Sequence, residues 1–247
     1  MLIINADDWG GWKSATDAAL TCYKAGRINS VSAMVFMEDS ERASHIAKEL
    51  GMDVGLHLNL SQRYNGRQPS PGRAKSHQRV VRFMSASKYS VLLYHPGLRR
   101  EFQDVYQSQL EEFARLYGGA PSHVDGHQHK HLCLNVLIGK VIPRGQKVRR
   151  SFSFRPEEKG CLNRTYRRFV DRCLGRRYVT TDYFFTLAQC WSEPGLVRLS
   201  RLAKAANVEL MVHPARAEEY TFLMGNSWLE FLHTVGVSKD GAFAMLT

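Results

Sequence analysis

Apolar and polar positions follow a repeating pattern along the chain. Short β-branched or apolar runs are separated by longer stretches whose apolar residues recur at helical spacing. The runs predict strands at Leu2–Ala6, Ser30–Phe36, Asp53–Asn59, His123–His127, Lys147–Ser153, Thr180–Thr186 and Glu209–His213, with the tail Ala242–Leu246 as a candidate eighth. Strands that alternate with helices form parallel sheets. We therefore expect one α/β domain over 1–247, a distorted TIM-like (β/α) barrel of seven or eight mostly parallel strands.

Helix boundary signals agree with this pattern. The predicted helices are Lys13–Lys24, Ser40–Leu50, Arg99–Tyr117, Leu132–Ile142, Leu162–Leu174, Pro194–Ala206 and Ser227–Thr234. The first has Ser14 and Asp17 at capping-box spacing and Gly26 just after its end. The segment 61–98 is rich in Arg, Ser, Gly and Pro, so it predicts a long basic loop inserted over the barrel.

Ligand-type residues cluster at the ends of three predicted strands. The alternate positions of one segment are His123, Asp125, His127, His129 and His131. An extended strand would aim His123, Asp125, His127 and even His129 into one volume, since alternate side chains share a face. The first strand ends in Asp7 and Asp8, and the third carries His57. Carboxylates and imidazoles bind divalent metals, and strand ends converge in a barrel, so the sequence predicts a metal site.

Each signal also has an ordinary interpretation. His57 alone fits a hydrogen-bonded core histidine, and Asp7-Asp8 fits a helix N-cap. His213-Pro214 fits a turn that ends a strand, and Arg149-Arg150 fits a solvent-facing pair. The agreement of three separate segments favours the metal site.

The charge is uneven. The formal net charge is +11; residues 61–100 hold nine Lys or Arg and no acid, and 144–177 hold twelve against three acids. A solvated basic surface explains this as well as an anionic partner does. Such a partner could be a nucleotide or pyrophosphate on the substrate, an anionic membrane or nucleic acid.

Four motifs resemble one family, the YdjC-like carbohydrate deacetylases, which include chitooligosaccharide and hopanoid-associated deacetylases. In chain order they are Asn5-Ala6-Asp7-Asp8-Trp9-Gly10, Gly55-Leu56-His57, His123-Val124-Asp125-Gly126-His127-Gln128-His129 and Val212-His213-Pro214. The resemblance implies a distorted barrel related to the polysaccharide deacetylases. It also implies removal of acetyl groups from N-acetylated amino sugars with one divalent metal ion.

The resemblance also implies roles for single residues. Asp8, His57 and His127 would bind the metal, Asp7 would be the general base and His213 the general acid. The implied substrate-binding or supporting residues are Trp9 (where the family usually has Phe), His123, Asp125, His129 and Arg149. Zn²⁺ or Mg²⁺ is expected first, and Mn²⁺, Ni²⁺ or Co²⁺ also fit this ligand set.

Three hypotheses follow. The first is a metal-dependent N-deacetylase acting on an N-acetylhexosamine unit, whose sugar could carry a phosphate or pyrophosphate. The second is a phosphoesterase or amidohydrolase on the same scaffold, which would commonly hold two or three metals. The third is a nucleic-acid-binding protein, which is not expected because no recognised module is present.

The expected location is cytoplasmic. A strand is predicted at once, at Leu2-Ile3-Ile4, where a signal peptide would otherwise lie. Contact with the inner face of the membrane and a homodimer both stay open.

Overall fold

In a computed structural model, which describes residues 1–155, 157–236 and 243–246, six parallel strands form one curled sheet. The strands are β1 (Leu2–Trp9), β2 (Ser30–Ala33), β3 (Val54–Leu58), β4 (Val124–Gly126), β5 (Tyr183–Thr186) and β6 (Val208–Val212). Their order across the sheet is β4-β3-β2-β1-β6-β5. Every residue of β1, β3 and β6 is buried, as expected for parallel strands covered on both faces.

Helices connect and cover the strands. They are α1 (Lys13–Lys24), α2 (Ser40–Glu49), α3 (Pro71–Ser85), α4 (Arg99–Tyr117), α5 (Leu134–Gly139), α6 (Cys161–Gly175), α7 (Glu193–Ala205), α8 (Ala217–Met224) and α9 (Asn226–Val235). The helix α1 shows the packing rule: it buries Ala15, Ala19 and Cys22, which share one face at helical spacing. None of the helices in the described ranges is long and apolar enough to cross a membrane.

The structure contains six regular strands instead of the predicted barrel of seven or eight, within the described residues. The segment 147–153 was expected to be a strand, but it makes single bridges only, Val124 with Val148 and Lys147 with Val179. It still lies between β4 and the approach to β5, because the Arg149 N–H donates to Val124 O at 3.1 Å and the Val148 N–H to Val179 O at 2.9 Å. The prediction of seven or eight regular strands is therefore wrong for this segment.

Two further predictions change. The segment 61–98 is not a continuous loop, because it contains α3 and the 3₁₀ turns Lys88–Leu92 and Pro96–Leu98. In the candidate eighth strand, residues 243–246 form a turn, and Ala242 lies outside the described residues.

Part of the basic charge of 61–98 is neutralised within the fold. Arg73 and Arg79 of α3 form ion pairs with Glu111 and Glu101 of α4. The insertion thus contains a helix that buries Val80 and Met84 in the core and forms ion pairs with α4 at the surface.

Candidate metal centre

The carboxyl ends of β1, β3 and β4 place three ligand-type side chains in contact. Asp8 Oδ1 lies 2.9 Å from His127 Nδ1 and 3.3 Å from His57 Nε2. One atom from each residue lies within 4.8 Å of the other two. We call Asp8, His57 and His127 the ligand cluster. The structure brings these three predicted residues together, and their role as ligands stays a proposal.

An irregular end of β1 lets consecutive acids reach the same region. Strict alternation would send Asp7 and Asp8 to opposite faces. The pairing of β1 with β2 shifts between Ala6 and Trp9, and Asp8 has a φ of +67°. Aspartate tolerates this left-handed conformation better than most residues. As a result Asp7 Oδ2 comes within 4.0 Å of His57 Nε2, while Asp8 faces both imidazoles.

His127 owes its position to the turn after β4. That strand ends at Gly126, and Gln128 and His129 both have left-handed φ of +56°. The alternation predicted for 123–131 therefore stops at His127. The strand covers Val124–Gly126 and so includes Asp125, His127 begins the turn, and the turn packs His129 against Phe152 and Phe184.

A second group of acids lies beneath the ligand cluster around Arg149. The guanidinium donates to both oxygens of Asp7, at 2.8 and 2.7 Å, and through Nε to Glu209 Oε1 at 2.6 Å. Its Nη2 also lies 2.6 Å from Asp125 Oδ2. We call Arg149 with Asp7, Asp125 and Glu209 the arginine network. Arg149 is completely buried, so the interpretation of Arg149 as a solvent-facing residue is wrong.

Asp125 joins the two groups. Its Oδ1 lies 2.8 Å from His57 Nδ1, and its Oδ2 accepts a hydrogen bond from Ser32 at 2.9 Å. A carboxylate on one imidazole nitrogen fixes the ring, so that the other nitrogen points at the ligand cluster. Ser32 also lies 3.0 Å from His123 Nε2, which adds His123 to this support.

The carboxyl groups of the site differ in pKa because their electrostatic surroundings differ. Burial alone would raise the pKa of Asp7, but the nearby charges of Arg149 and His57 outweigh it, so the pKa is lowered and Asp7 is ionised at neutral pH. Burial likewise opposes ionisation of Asp8, and hydrogen bonds to His127 and His57 lower its pKa. Burial raises the pKa of Glu209 to about 7, although Arg149 lowers it.

The position of His57 is suited to positive charge. Burial would lower its pKa, but Asp125 and Asp7 raise it well above the ordinary value. Asp8 forms no ion pair with Lys or Arg in the described ranges. The donor set of two imidazoles and one carboxylate, with no Lys or Arg of the described ranges paired to Asp8, therefore fits a divalent metal ion, which would take the place of the proton on His57.

Most of the predicted substrate-binding residues lie below the surface. Trp9, His123, Asp125 and Arg149 are all fully buried, so they offer no surface to a ligand in this structure. His123 stacks on Phe243, with ring centroids 3.6 Å apart. These residues support the site rather than line its opening, because strands buried on both faces turn their side chains into the core.

His129 and His213 lie at the rim. His129 packs edge-on against Phe152 at 4.4 Å, and burial lowers its pKa to about 3, so it is neutral. His213 follows Val212, which pairs with Ala6, so it lies at the same sheet edge as Asp7. Its backbone N–H donates to Glu219 Oε2 at 2.7 Å, and its Nδ1 lies 3.8 Å from Glu219 Oε1.

Sequence reasoning missed four supporting residues: Asn5, Ser32, Glu209 and Glu219. Asn5 donates to Asp7 Oδ1 at 3.0 Å and to Ser32 at 2.7 Å. Of the four, Glu209 could have been found from the sequence, since it is a lone charged residue inside the apolar run Val208-Glu209-Leu210-Met211-Val212. Buried charges of this kind are rare unless they are paired.

The fold and the site together define an α/β protein with a candidate metal centre at the carboxyl ends of parallel strands. A family model described as YdjC-like protein matches residues 1–234. The chain therefore belongs to the YdjC-like family.

Three relatives are named for activity on carbohydrates. The chain is 29% identical over 136 residues to a carbohydrate deacetylase of Danio rerio, covering 55% of this chain and 43% of that protein. It is 31% identical over 134 residues to a chitooligosaccharide deacetylase of Proteus mirabilis, covering 53% and 50%. It is 26% identical over 216 residues to a carbohydrate deacetylase of Clostridium beijerinckii, covering 86% and 80%. The match thus spans half or less of the first two relatives.

A solved structure shares the fold. It is a protein of Enterococcus faecalis provisionally described as a cellobiose-phosphate cleavage protein. The TM-score is 0.64 at 16% sequence identity, and the match covers 100% of this chain and 98% of that one. At this identity the likeness concerns the fold alone.

Proposed function

We propose that this protein is a metal-dependent carbohydrate N-deacetylase. It hydrolyses the acetamide of an N-acetylhexosamine-containing sugar, so that water and the amide give a free amine and acetate. The observation that carries the proposal is the ligand cluster placed beside a second, ionised carboxylate, Asp7. The names of the relatives support the same reaction.

Asp8, His57 and His127 would hold the metal ion. A bound divalent ion would polarise the amide carbonyl and make the attacking water more acidic. Asp125 orients His57 through Nδ1, which leaves Nε2 free to face the ion.

Proton transfer falls to Asp7 and His213, which lie at the carboxyl ends of the adjacent strands β1 and β6. Asp7 accepts the proton of the attacking water on Oδ2, the oxygen that lies nearest His57 Nε2. Arg149 holds that carboxylate in place from below through two hydrogen bonds. An amine leaves only when protonated, and His213 at the same sheet edge donates that proton. Glu219 fixes the His213 backbone.

The alternative of a multi-metal phosphoesterase is less well supported. A second set of ligand-type atoms comes from Asp7, His57 and Asp125. Both of its carboxylates are already bound to Arg149, and His57 Nδ1 is bound to Asp125. A cation thus already occupies the place of a second metal. We expect one metal per chain, measured by elemental analysis of the dialysed protein.

The proposal is tested by acetate release from a panel of substrates. The panel contains N-acetylglucosamine, chitobiose, UDP-N-acetylglucosamine and a polyprenyl-pyrophosphate-linked N-acetylhexosamine. We expect release from at least one of them that metal stripping abolishes and metal addition restores. Asp7→Asn should lower it by about 10²–10⁴-fold, whereas Asp17→Asn, an exposed acid of α1, should leave it unchanged. Release that persists in Asp7→Asn would contradict the proposed base.

A substrate with an anionic carrier is a finer part of the proposal. Arg63, Lys75 and Arg82 line a cavity of about 950 Å³ beside α3. Within the described ranges these three side chains form no ion pair. Reversing all three charges should raise KM for UDP-N-acetylglucosamine more than KM for N-acetylglucosamine. Lys204→Glu on α7 is the control, and equal effects on both substrates would contradict this part.

A further inference from the structure

Helix α6 presents an unusual apolar stripe to solvent. Leu162, Tyr166 and Phe169 are 88%, 43% and 65% exposed. Their spacing of four and three residues places them on one face of the helix, and the exposed Cys173 continues it. Only Val170 and Leu174 of α6 are buried, so the helix attaches to the domain by a narrow edge.

A second apolar segment adjoins this stripe. The turn Lys88–Leu92 and the residue after it expose Tyr89, Leu92 and Leu93 by 60%, 47% and 54%. Leu92 and Tyr166 line the same cavity of about 440 Å³, which brings the two segments together. We define the docking face as Tyr89, Leu92, Leu93, Leu162, Tyr166 and Phe169. Exposed apolar patches of this kind mark sites of interaction.

The surroundings of the docking face are basic. Helix α6 carries Arg164, Arg167, Arg168 and Arg172. Its one acid, Asp171, forms an ion pair with Arg150 at 2.9 Å. Lys88 begins the neighbouring turn. The partner of this face should therefore combine an apolar phase with negative charge.

We propose that the docking face binds the surface of an anionic lipid bilayer. Apolar side chains at i, i+4 and i+7 that are flanked by arginine suit a helix lying in the headgroup region. The apolar side chains would enter the acyl boundary, and the arginines would remain level with the phosphates. Two copies packed through this face would bring like charges together, which disfavours a homodimer here.

The cavity that joins the two segments is lined in part by the turn that follows His127 of the candidate metal centre. Gln128 and His129 line it, and His127 immediately precedes them. A docked protein would hold the rim of the site at the membrane. Docking does not depend on the deacetylase proposal, because it requires no chemistry at the site.

Co-sedimentation with vesicles tests the proposal. The full chain should sediment with vesicles that contain phosphatidylglycerol and not with phosphatidylcholine alone. Leu162→Ser with Phe169→Ser should lower the partition coefficient by at least about tenfold. Val197→Ser on α7, which is also 65% exposed, is the matched control and should behave like the unchanged chain. Equal binding by the double variant and the control would overturn the proposal, as would no binding by the unchanged chain.

A second measurement does not depend on substitution within the docking face. The thiols of Cys161 and Cys173 are exposed and the other three are buried, so Cys161→Ser leaves Cys173 for an environment-sensitive fluorophore. Phosphatidylglycerol vesicles should shift its emission to the blue, and no shift would overturn the proposal.

Light scattering tests the alternative of a homodimer. A dimer that the double variant dissociates would assign the docking face to a second copy of the chain and overturn the proposal. Acetate release from free N-acetylglucosamine should be equal in all variants, which separates this proposal from the proposed function.

Discussion

The ligand cluster and the arginine network both contain buried carboxylates, but different groups neutralise those carboxylates in each. In the network, three buried carboxylates surround the guanidinium of Arg149. In the cluster, the Asp8 carboxylate pairs with the imidazoles of His57 and His127, and no Lys or Arg of the described ranges pairs with it. The network is sealed, whereas His127 and Asp8 keep 15% and 11% of their side chains exposed.

This difference explains why the ligand cluster is suited to bind a metal ion, whereas the arginine network is suited to hold the side chains beneath it in place. A buried carboxylate needs a partner cation, and Arg149 supplies one permanently. The cluster has no permanently charged Lys or Arg within the described ranges and opens to solvent, so a metal ion from solution can take that place. The adjacent residues Asp7 and Asp8 of β1 therefore have different roles, because the backbone turns Asp7 toward Arg149 and Asp8 toward the imidazoles.

The sharpest test of this comparison is Asp8→Ala. It removes the carboxylate of the cluster while leaving the network intact. We expect metal affinity to fall at least about a hundredfold and acetate release to fall to background, since the ligand set is reduced to two imidazoles. Metal binding is measured by calorimetry. Asp7→Asn is the matched variant and should retain the metal. An equal loss of metal affinity in both variants would show that the ligand cluster and the arginine network do not have separate roles.

Removal of Arg149 should destabilise the fold. Arg149→Met leaves three buried carboxylates without their cation, which should cost about 3–5 kcal/mol of unfolding free energy. The neighbouring Arg150→Met is the control, because Arg150 is partly exposed and should cost only about 1 kcal/mol. Urea unfolding of both proteins measures this. Similar losses would show that burial of the guanidinium carries no special weight.

Glu209 should make stability depend on pH. Its pKa is raised from 4.5 in the unfolded chain to about 7, so the folded state binds the extra proton between these values. Glu209 therefore contributes a loss of stability as pH rises from 4.5 to 7, on the order of 3 kcal/mol in the metal-free protein. The buried histidines with lowered pKa contribute a gain over part of this range, in both the unchanged chain and the Glu209 variant; they are His77, His123, His129 and His131. Glu209→Gln should lose that part of the slope. His57, whose pKa is also raised, contributes a loss in both proteins. Identical slopes in both would contradict the prediction.

The smallest effect is expected at Gly55. A Cβ there would lie 2.2 Å from Cε1 of His123, so Gly55→Ala must displace that ring. We expect a loss of about 1–3 kcal/mol of unfolding free energy by thermal unfolding. Gly72→Ala in α3 is the control, because its Cβ would meet nothing within 4 Å. A neutral Gly55→Ala would show that His123 moves freely and supports nothing.

The sequence predicted much of the fold because periodicity reports burial directly. Six of the predicted strands and most of the helices are present, with bounds that differ by a few residues. The predicted strand Lys147–Ser153 has the composition of a strand but makes single bridges only. Helix α3 was missed because Gly72 and its many polar residues weaken the helical pattern.

The candidate site was predicted less completely. Ligand-type residues at strand ends could be read from their spacing, and Asp8, His57 and His127 do meet. The partners of Arg149 could not, because they come from three strands far apart in the chain. The burial of His123 and the turn that redirects His129 also depend on packing.

By itself the sequence determined the α/β class, the order of the elements and which residues could bind a metal, since these follow from local periodicity and side-chain chemistry. Only the tertiary structure decided which carboxylates share a cation and which remain available. That choice depends on distances between strands and on the positive φ at Asp8. Both are set by long-range packing and register, which no local pattern of residues encodes.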